Sequence, residues 1–147
     1  MTSSPVLDAL IAVHVFGQII YDPDWPCGST PGCGDYEAAL RKEDPADWHT
    51  DRRPVVAMWD EPVDGFMAVE PVAFYSSTLV DAYSILNQFA HMKVTLQMDP
   101  ARSVHEHASC TIFDGFSAWY AFEATLSLAI CAAALKAKGV RQEIAIK

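Results

Sequence analysis

Three groups of side chains have the types and spacing to do chemistry. Cys27 and Cys33, separated by five residues in a Gly-rich stretch beside Trp25, could join His105 and His107 as zinc ligands. An H-x-H pair on a strand would turn both rings to one face. Zinc-binding cysteines usually stand two to four residues apart, so the set does not close and no metal is expected. Asp60 with Glu61, and His105 with Glu106, are acid–base pairs of a kind any acidic chain contains, and neither Cys110 nor Cys131 lies in a nucleophile elbow. With no catalytic set complete, the chain reads as a non-enzyme that needs no cofactor.

The third group binds rather than reacts. Tyr75-Ser76-Ser77-Thr78 opens a helical period, where hydroxyls and free backbone N–H groups meet the positive end of the helix dipole. Arg52-Arg53 is a cation pair in an acidic stretch, with Trp48, His49 and Trp59 nearby. Guanidinium groups grip phosphate bidentately, and aromatic faces stack on purines. The candidate ligand-binding set is therefore Trp48, Arg52, Arg53, Trp59, Tyr75, Ser76, Ser77 and Thr78, and the ligand a small, anionic, nucleotide-like molecule. Plain helix capping by Ser76 to Thr78, and a solvated pair neutralising Asp47 and Asp51, are the simpler explanations of the same residues.

The elements that must position these groups follow from patterning. The 147 residues, 51% hydrophobic and 20% charged, suit one folded domain with a real core. A net charge of −9 disfavours nucleic-acid polymers and anionic membranes as partners. That acidity is regional, with 12 acidic and 4 basic side chains in residues 22–70 against 6 and 6 in residues 71–147. The segment 22–54, broken by five prolines and three glycines, reads as a long irregular insertion in the domain. The start has no basic n-region, and the most apolar window, residues 126–137, is too short to cross a bilayer, so we expect a cytosolic chain with reduced cysteines.

Residues 5–16 show helical spacing, with Ser4 as N-cap, Pro5 at the first position and Gly17 as stop. Residues 55–59 and 69–74 read as short strands around Asp64-Gly65, and 79–89 as an amphipathic helix capped by a hydroxyl of Ser76 to Thr78. Strict alternation from Met92 to Met98 predicts a half-buried strand. Val104 to Phe113 and Phe116 to Phe122 form a hairpin about Asp114-Gly115, and a core helix capped by Thr125 or Ser127 runs to Gly139. The tail 140–146 reads as an edge strand or an irregular end. These elements predict an α+β fold with a mostly antiparallel sheet.

Two of these segments carry a family resemblance. Ala73-Phe74-Tyr75-Ser76-Ser77-Thr78 leading into Ala82-Tyr83-Ser84-Ile85-Leu86, and Ala124 to Val140 as the closing helix, resemble the phage ABA sandwich domain family, and residues 7–17 are loosely similar to its opening helix. Ser127 stands where the pattern usually has Pro, Thr78 and Leu79 alter its hydroxyl-acid pair, and residues 22–54 have no counterpart. The resemblance implies an αβα sandwich of about three helices and a phage or prophage origin, and it brings no enzymatic activity. By analogy with small phage proteins that sequester immune signals, the expected function is an anti-defence sponge for a nucleotide-type signal in the host cytosol, working as a homo-oligomer. The alternatives are an acidic module docking on a host protein and a small hydrolase using His105, His107 or Asp60.

Overall fold

The structure is a computed structural model that describes residues 1–21, 42–43, 53–59 and 69–140. Helix α1 (Pro5–His14) is followed by strands β1 (Ile20–Tyr21), β2 (Lys42–Glu43), β3 (Val55–Ala57) and β4 (Val69–Pro71). Helix α2 (Leu79–Leu86) runs into a 3-10 turn (Asn87–Phe89) and then β5 (Lys93–Met98). A second 3-10 turn (Val104–Glu106), β6 (Ala108–Phe113), β7 (Ala118–Glu123) and helix α3 (Leu126–Ala137) complete the order. The strands form two sheets, β2-β1-β3-β4 and β5-β6-β7, with every paired neighbour antiparallel. The fold is α+β, as patterning predicts.

Local chemistry sets the helix limits. The Ser4 hydroxyl accepts the Leu7 N–H at 3.1 Å, Pro5 begins α1, and Gly17 ends it at φ +68°, a conformation costly for a residue with a Cβ. Thr125, not Ser127, caps α3 by accepting the Leu128 N–H at 3.3 Å. Thr78 is the N-cap residue of α2, yet its hydroxyl makes no capping bond. The Asp81 carboxylate takes the Phe74 N–H instead, at 2.9 Å, and its charge complements the start of that helix.

Helix α3 is apolar on every side, and residues 127–135 are all buried. A helix apolar all round belongs in the middle of a core. One flank packs on β6 and β7, and another on α1 and α2. Its alanines let those neighbours come close. Ala108, Cys110 and Ile112 of β6 point into this core, joined by Val94 and Leu96 of β5 and Trp119 and Ala121 of β7. The same cluster takes in Leu7, Leu10 and Ile11 of α1, Ile20 of β1, Val56 of β3 and Ile85 of α2. The opposite face of the three-stranded sheet, with Thr95, Gln97, Phe113, Tyr120 and Phe122, is largely exposed.

One strand boundary differs from the sequence reading. Residues 104–106 form a 3-10 turn, closed by the Glu106 N–H on the Ser103 carbonyl, and β6 begins only at Ala108. His105 and His107 therefore do not share the face of a strand. The turn about Asp114 is as expected: its carboxylate accepts the Phe116 and Ser117 N–H groups at 2.8 and 2.7 Å, which hold the Asp114 carboxyl below its ordinary pKa.

Candidate functional site

The predicted binding residues fall into three places. Asp8, in the apolar run of α1, is completely buried and pairs with Arg53 Nη1 through Oδ2 at 2.7 Å. Its Oδ1 accepts the Ser76 N–H at 2.6 Å. The same Arg53 Nη1 reaches the Val72 and Ala73 carbonyls at 3.2 and 3.3 Å. One nitrogen with two hydrogens thus serves three acceptors, and the two longer bonds are shared. The guanidinium also lies over the Phe74 ring, 3.7 Å from its centroid. Ser76 is buried, its hydroxyl bonded to Ser3 Oγ at 3.1 Å and to the Ser4 N–H at 3.2 Å. Tyr75 is buried and stacked on Phe16 at 5.2 Å; burial, with the Asp81 and Asp8 carboxylates, pushes its hydroxyl up to about 12.

Arg53, Tyr75 and Ser76 are therefore parts of an internal clamp that ties α1 to the segment before α2. A phosphate at Arg53 would have to compete with a buried carboxylate already in contact. The signal for this clamp lay in the sequence: an acid among Leu7, Leu10 and Ile11 needs a cation partner, because an unpaired buried charge is very costly.

Trp59 belongs to a second place. It is 43% exposed and lines a cavity of about 380 Å³ with Gly17, Gln18, Ile19, Tyr21, Val56 and Ala57. Trp48 and Arg52 lie outside the described residues.

The third place is a cavity of about 360 Å³ lined by Ser77, Leu79, Met98, Ala124, Thr125, Leu126 and Ser127. The starts of α2 and α3 meet there, with Thr78 adjoining Ser77 and Leu79. The first N–H groups of a helix have no acceptor within it, and they carry the positive end of its dipole. Asp81 already answers that potential at α2, whereas the first turn of α3 has no acidic residue. Glu123, just before α3, is paired with the N-terminal ammonium at 3.4 Å. With the Leu128 N–H taken by the Thr125 hydroxyl, the donors left at the start of α3 are the Leu126 and Ser127 N–H groups, and Ser77 lines the same cavity. Leu79, Met98 and Leu126 give the cavity an apolar wall. The role of Leu126 and Ser127 carried no signal in the sequence beyond a helix start.

Comparison with known proteins adds the fold and little else. The chain is similar to the crystal structure of a phage protein from Bacillus cereus ATCC 14579, with a TM-score of 0.55, 17% sequence identity, and 92% of this chain and 90% of that one covered. No protein-family model matches the chain. No curated protein matches it either. At that identity the likeness speaks for a shared architecture.

The groups that a hydrolytic reading would need are placed as follows. Cys110 and Cys131 are fully buried; burial pushes the Cys110 thiol up to about 11 and Cys131 in the same direction, away from the reactive thiolate. His105 is exposed, and Asp60, Cys27 and Cys33 lie outside the described residues. Among the described residues no cluster of three or more His, Cys, Asp or Glu is arranged to hold a metal ion. No described helix is long and apolar enough to cross a membrane.

Proposed function

We propose that this protein is a small phage-type accessory protein that binds and sequesters a nucleotide-like anion without transforming it. The observation that carries the reading is the meeting of two helix starts, Ser77 beside α2 and Thr125 to Ser127 at α3, on one cavity with an apolar wall. Such a cavity offers hydrogen-bond donors for a phosphate at one end and contact for a base at the other. Its volume, about 360 Å³, is at the low end of small-molecule sites, which suits a ligand the size of one or two nucleotides held partly in solvent. The set proposed from sequence is thereby narrowed: Ser77 stays at the ligand, Leu126 and Ser127 join it, Thr78 only adjoins the cavity, and Arg53, Tyr75 and Ser76 hold the segment in place. The likeness to a phage protein supports the biological setting.

Isothermal titration with cyclic dinucleotides and cyclic ADP-ribose isomers, followed by mass spectrometry of the recovered ligand, tests this. Saturable binding with the ligand recovered intact is the expected result. Conversion of the ligand would make the protein an enzyme. Absence of binding to every member would shift the reading to a protein-docking module, for which the exposed aromatic side chains Phe113, Phe116, Tyr120 and Phe122 are the best-placed surface.

A further inference from the structure

The two outer edges of the β5-β6-β7 sheet are treated differently. In an antiparallel ladder, successive residues send both backbone groups alternately to one side and the other. The Asp99 N–H on the His107 carbonyl, at 2.7 Å, continues the β5–β6 register, and the Asp114 N–H on the Ser117 carbonyl, at 3.1 Å, continues the β6–β7 register. Counting by twos from those pairs, Ala118, Tyr120 and Phe122 present their N–H and C=O groups outward from β7. Val94, Leu96 and Met98 do the same from β5. At the centre of the β7 edge, Lys136 Nζ donates to the Tyr120 carbonyl at 2.8 Å, a charged plug of the kind that stops another strand from adding.

The β5 edge has no such plug among the described residues. Helix α3 packs chiefly over β6 and β7, so Val94 and Leu96 are only half-buried and Met98 is 56% exposed, although all three lie on the core side of the sheet. Among the described residues, an open backbone edge and an uncovered apolar ledge thus coincide on one strand.

We propose that β5 pairs antiparallel with β5 of a second copy, about a two-fold axis at Leu96. Directly opposed residues in an antiparallel pair share a face, so the axis must pass through a residue and not between two. At Leu96 it sets Leu96 against the partner's Leu96 and Val94 against the partner's Met98 on the apolar side. Thr95 faces the partner's Gln97 on the polar side, and Lys93 faces the partner's Asp99 at each end. The outward backbone groups give two hydrogen bonds for the central pair and two for each Val94–Met98 pair, six in all. An axis at Thr95 would make only four and would leave Lys93 opposite the partner's Gln97. The chemistry of the strand therefore favours a symmetric copy of itself, joining two three-stranded sheets into one of six. This proposal does not depend on the ligand reading.

Sedimentation equilibrium on the full chain tests it. A reversible species of twice the 16.2 kDa chain mass is expected. Lys93→Glu, which sets like charges opposite at both ends, should weaken it at least about tenfold, and Lys93→Glu with Asp99→Lys should restore most of that loss. Leu96→Pro removes an N–H that points away from β6, so it should yield a monomer that still melts cooperatively. If Leu96→Pro fails to fold, the charge pair alone decides. A monomeric wild-type chain at about 100 μM, or a dimer indifferent to Lys93→Glu, would overturn the proposal; the first outcome would leave the edge to an extended segment of another protein.

Discussion

Replacing Arg53 with alanine should strike the fold before it strikes any ligand. The substitution leaves the Asp8 carboxylate fully buried with one hydrogen-bond partner, the Ser76 N–H at 2.6 Å, where it had two. Breaking one side of a buried ion pair costs roughly 3–5 kcal/mol, because the remaining charge is stranded away from water. The Arg53 side chain is 18% exposed and the Asp8 side chain 1%, so most of the penalty falls on the carboxylate. Loss of the guanidinium over Phe74 adds about 0.5–1 kcal/mol. About 4 kcal/mol at neutral pH is therefore expected. For a chain of 147 residues this corresponds to a fall in Tm of roughly 10–15 °C. Arg53→Lys keeps the charge but loses the shared carbonyl bonds and the stacking, and should cost about half as much. Urea unfolding followed by circular dichroism measures both variants. An alanine variant within about 1 kcal/mol of wild type would refute the clamp and return Arg53 to the list of ligand contacts.

Cys131→Ser should destabilise by about 1–3 kcal/mol, since the position is fully buried in α3 and a hydroxyl costs more than a thiol to take out of water; an unchanged urea midpoint would contradict it. Stability should fall with rising pH above 9: between 9 and about 11 the unfolded chain releases the Cys110 proton while the folded chain keeps it, and Tyr75 extends the fall to about 12. The Cys110 part is on the order of 2 kcal/mol, and Cys110→Ala should lessen the slope of Tm between pH 9 and 11 without abolishing it, since Cys131 is shifted in the same direction. Lys136→Met should change stability by less than about 1 kcal/mol yet promote association through the freed Tyr120 carbonyl, read as species larger than a dimer in light scattering.

Much of the architecture was legible because its signals are local. Ser4-Pro5 and Thr125 mark the helix starts they were expected to mark, and the strict alternation from Met92 to Met98 became β5. The apolar window 126–137 became the central helix without adjustment. What was missed depends on contacts between distant residues. Strands of two residues, such as β1 and β2, are too short to show a period, and their pairing created a separate sheet. The hydroxyl cap expected for α2 was displaced by Asp81, which reaches back to Phe74 and satisfies a different donor. The histidines at 105 and 107 lost their common face because residues 104–106 close a 3-10 turn before β6 begins at Ala108. At the candidate site, Ser77 could be read from its place before a helix, but its counterpart on α3 sits fifty residues on, and nothing short of the packing of α2 beside α3 joins them.

Binding of an anionic ligand between the starts of α2 and α3 can be read residue by residue in a backbone amide NMR titration with the tightest-binding nucleotide of the calorimetric panel. Saturable shifts concentrated on Ser77, Leu79, Leu126 and Ser127 are expected, with downfield movement of the α3 amides as they take up hydrogen bonds to the anion. Shifts centred on Gly17, Ile19 and Trp59 in the other cavity, or none at these four amides, would contradict it.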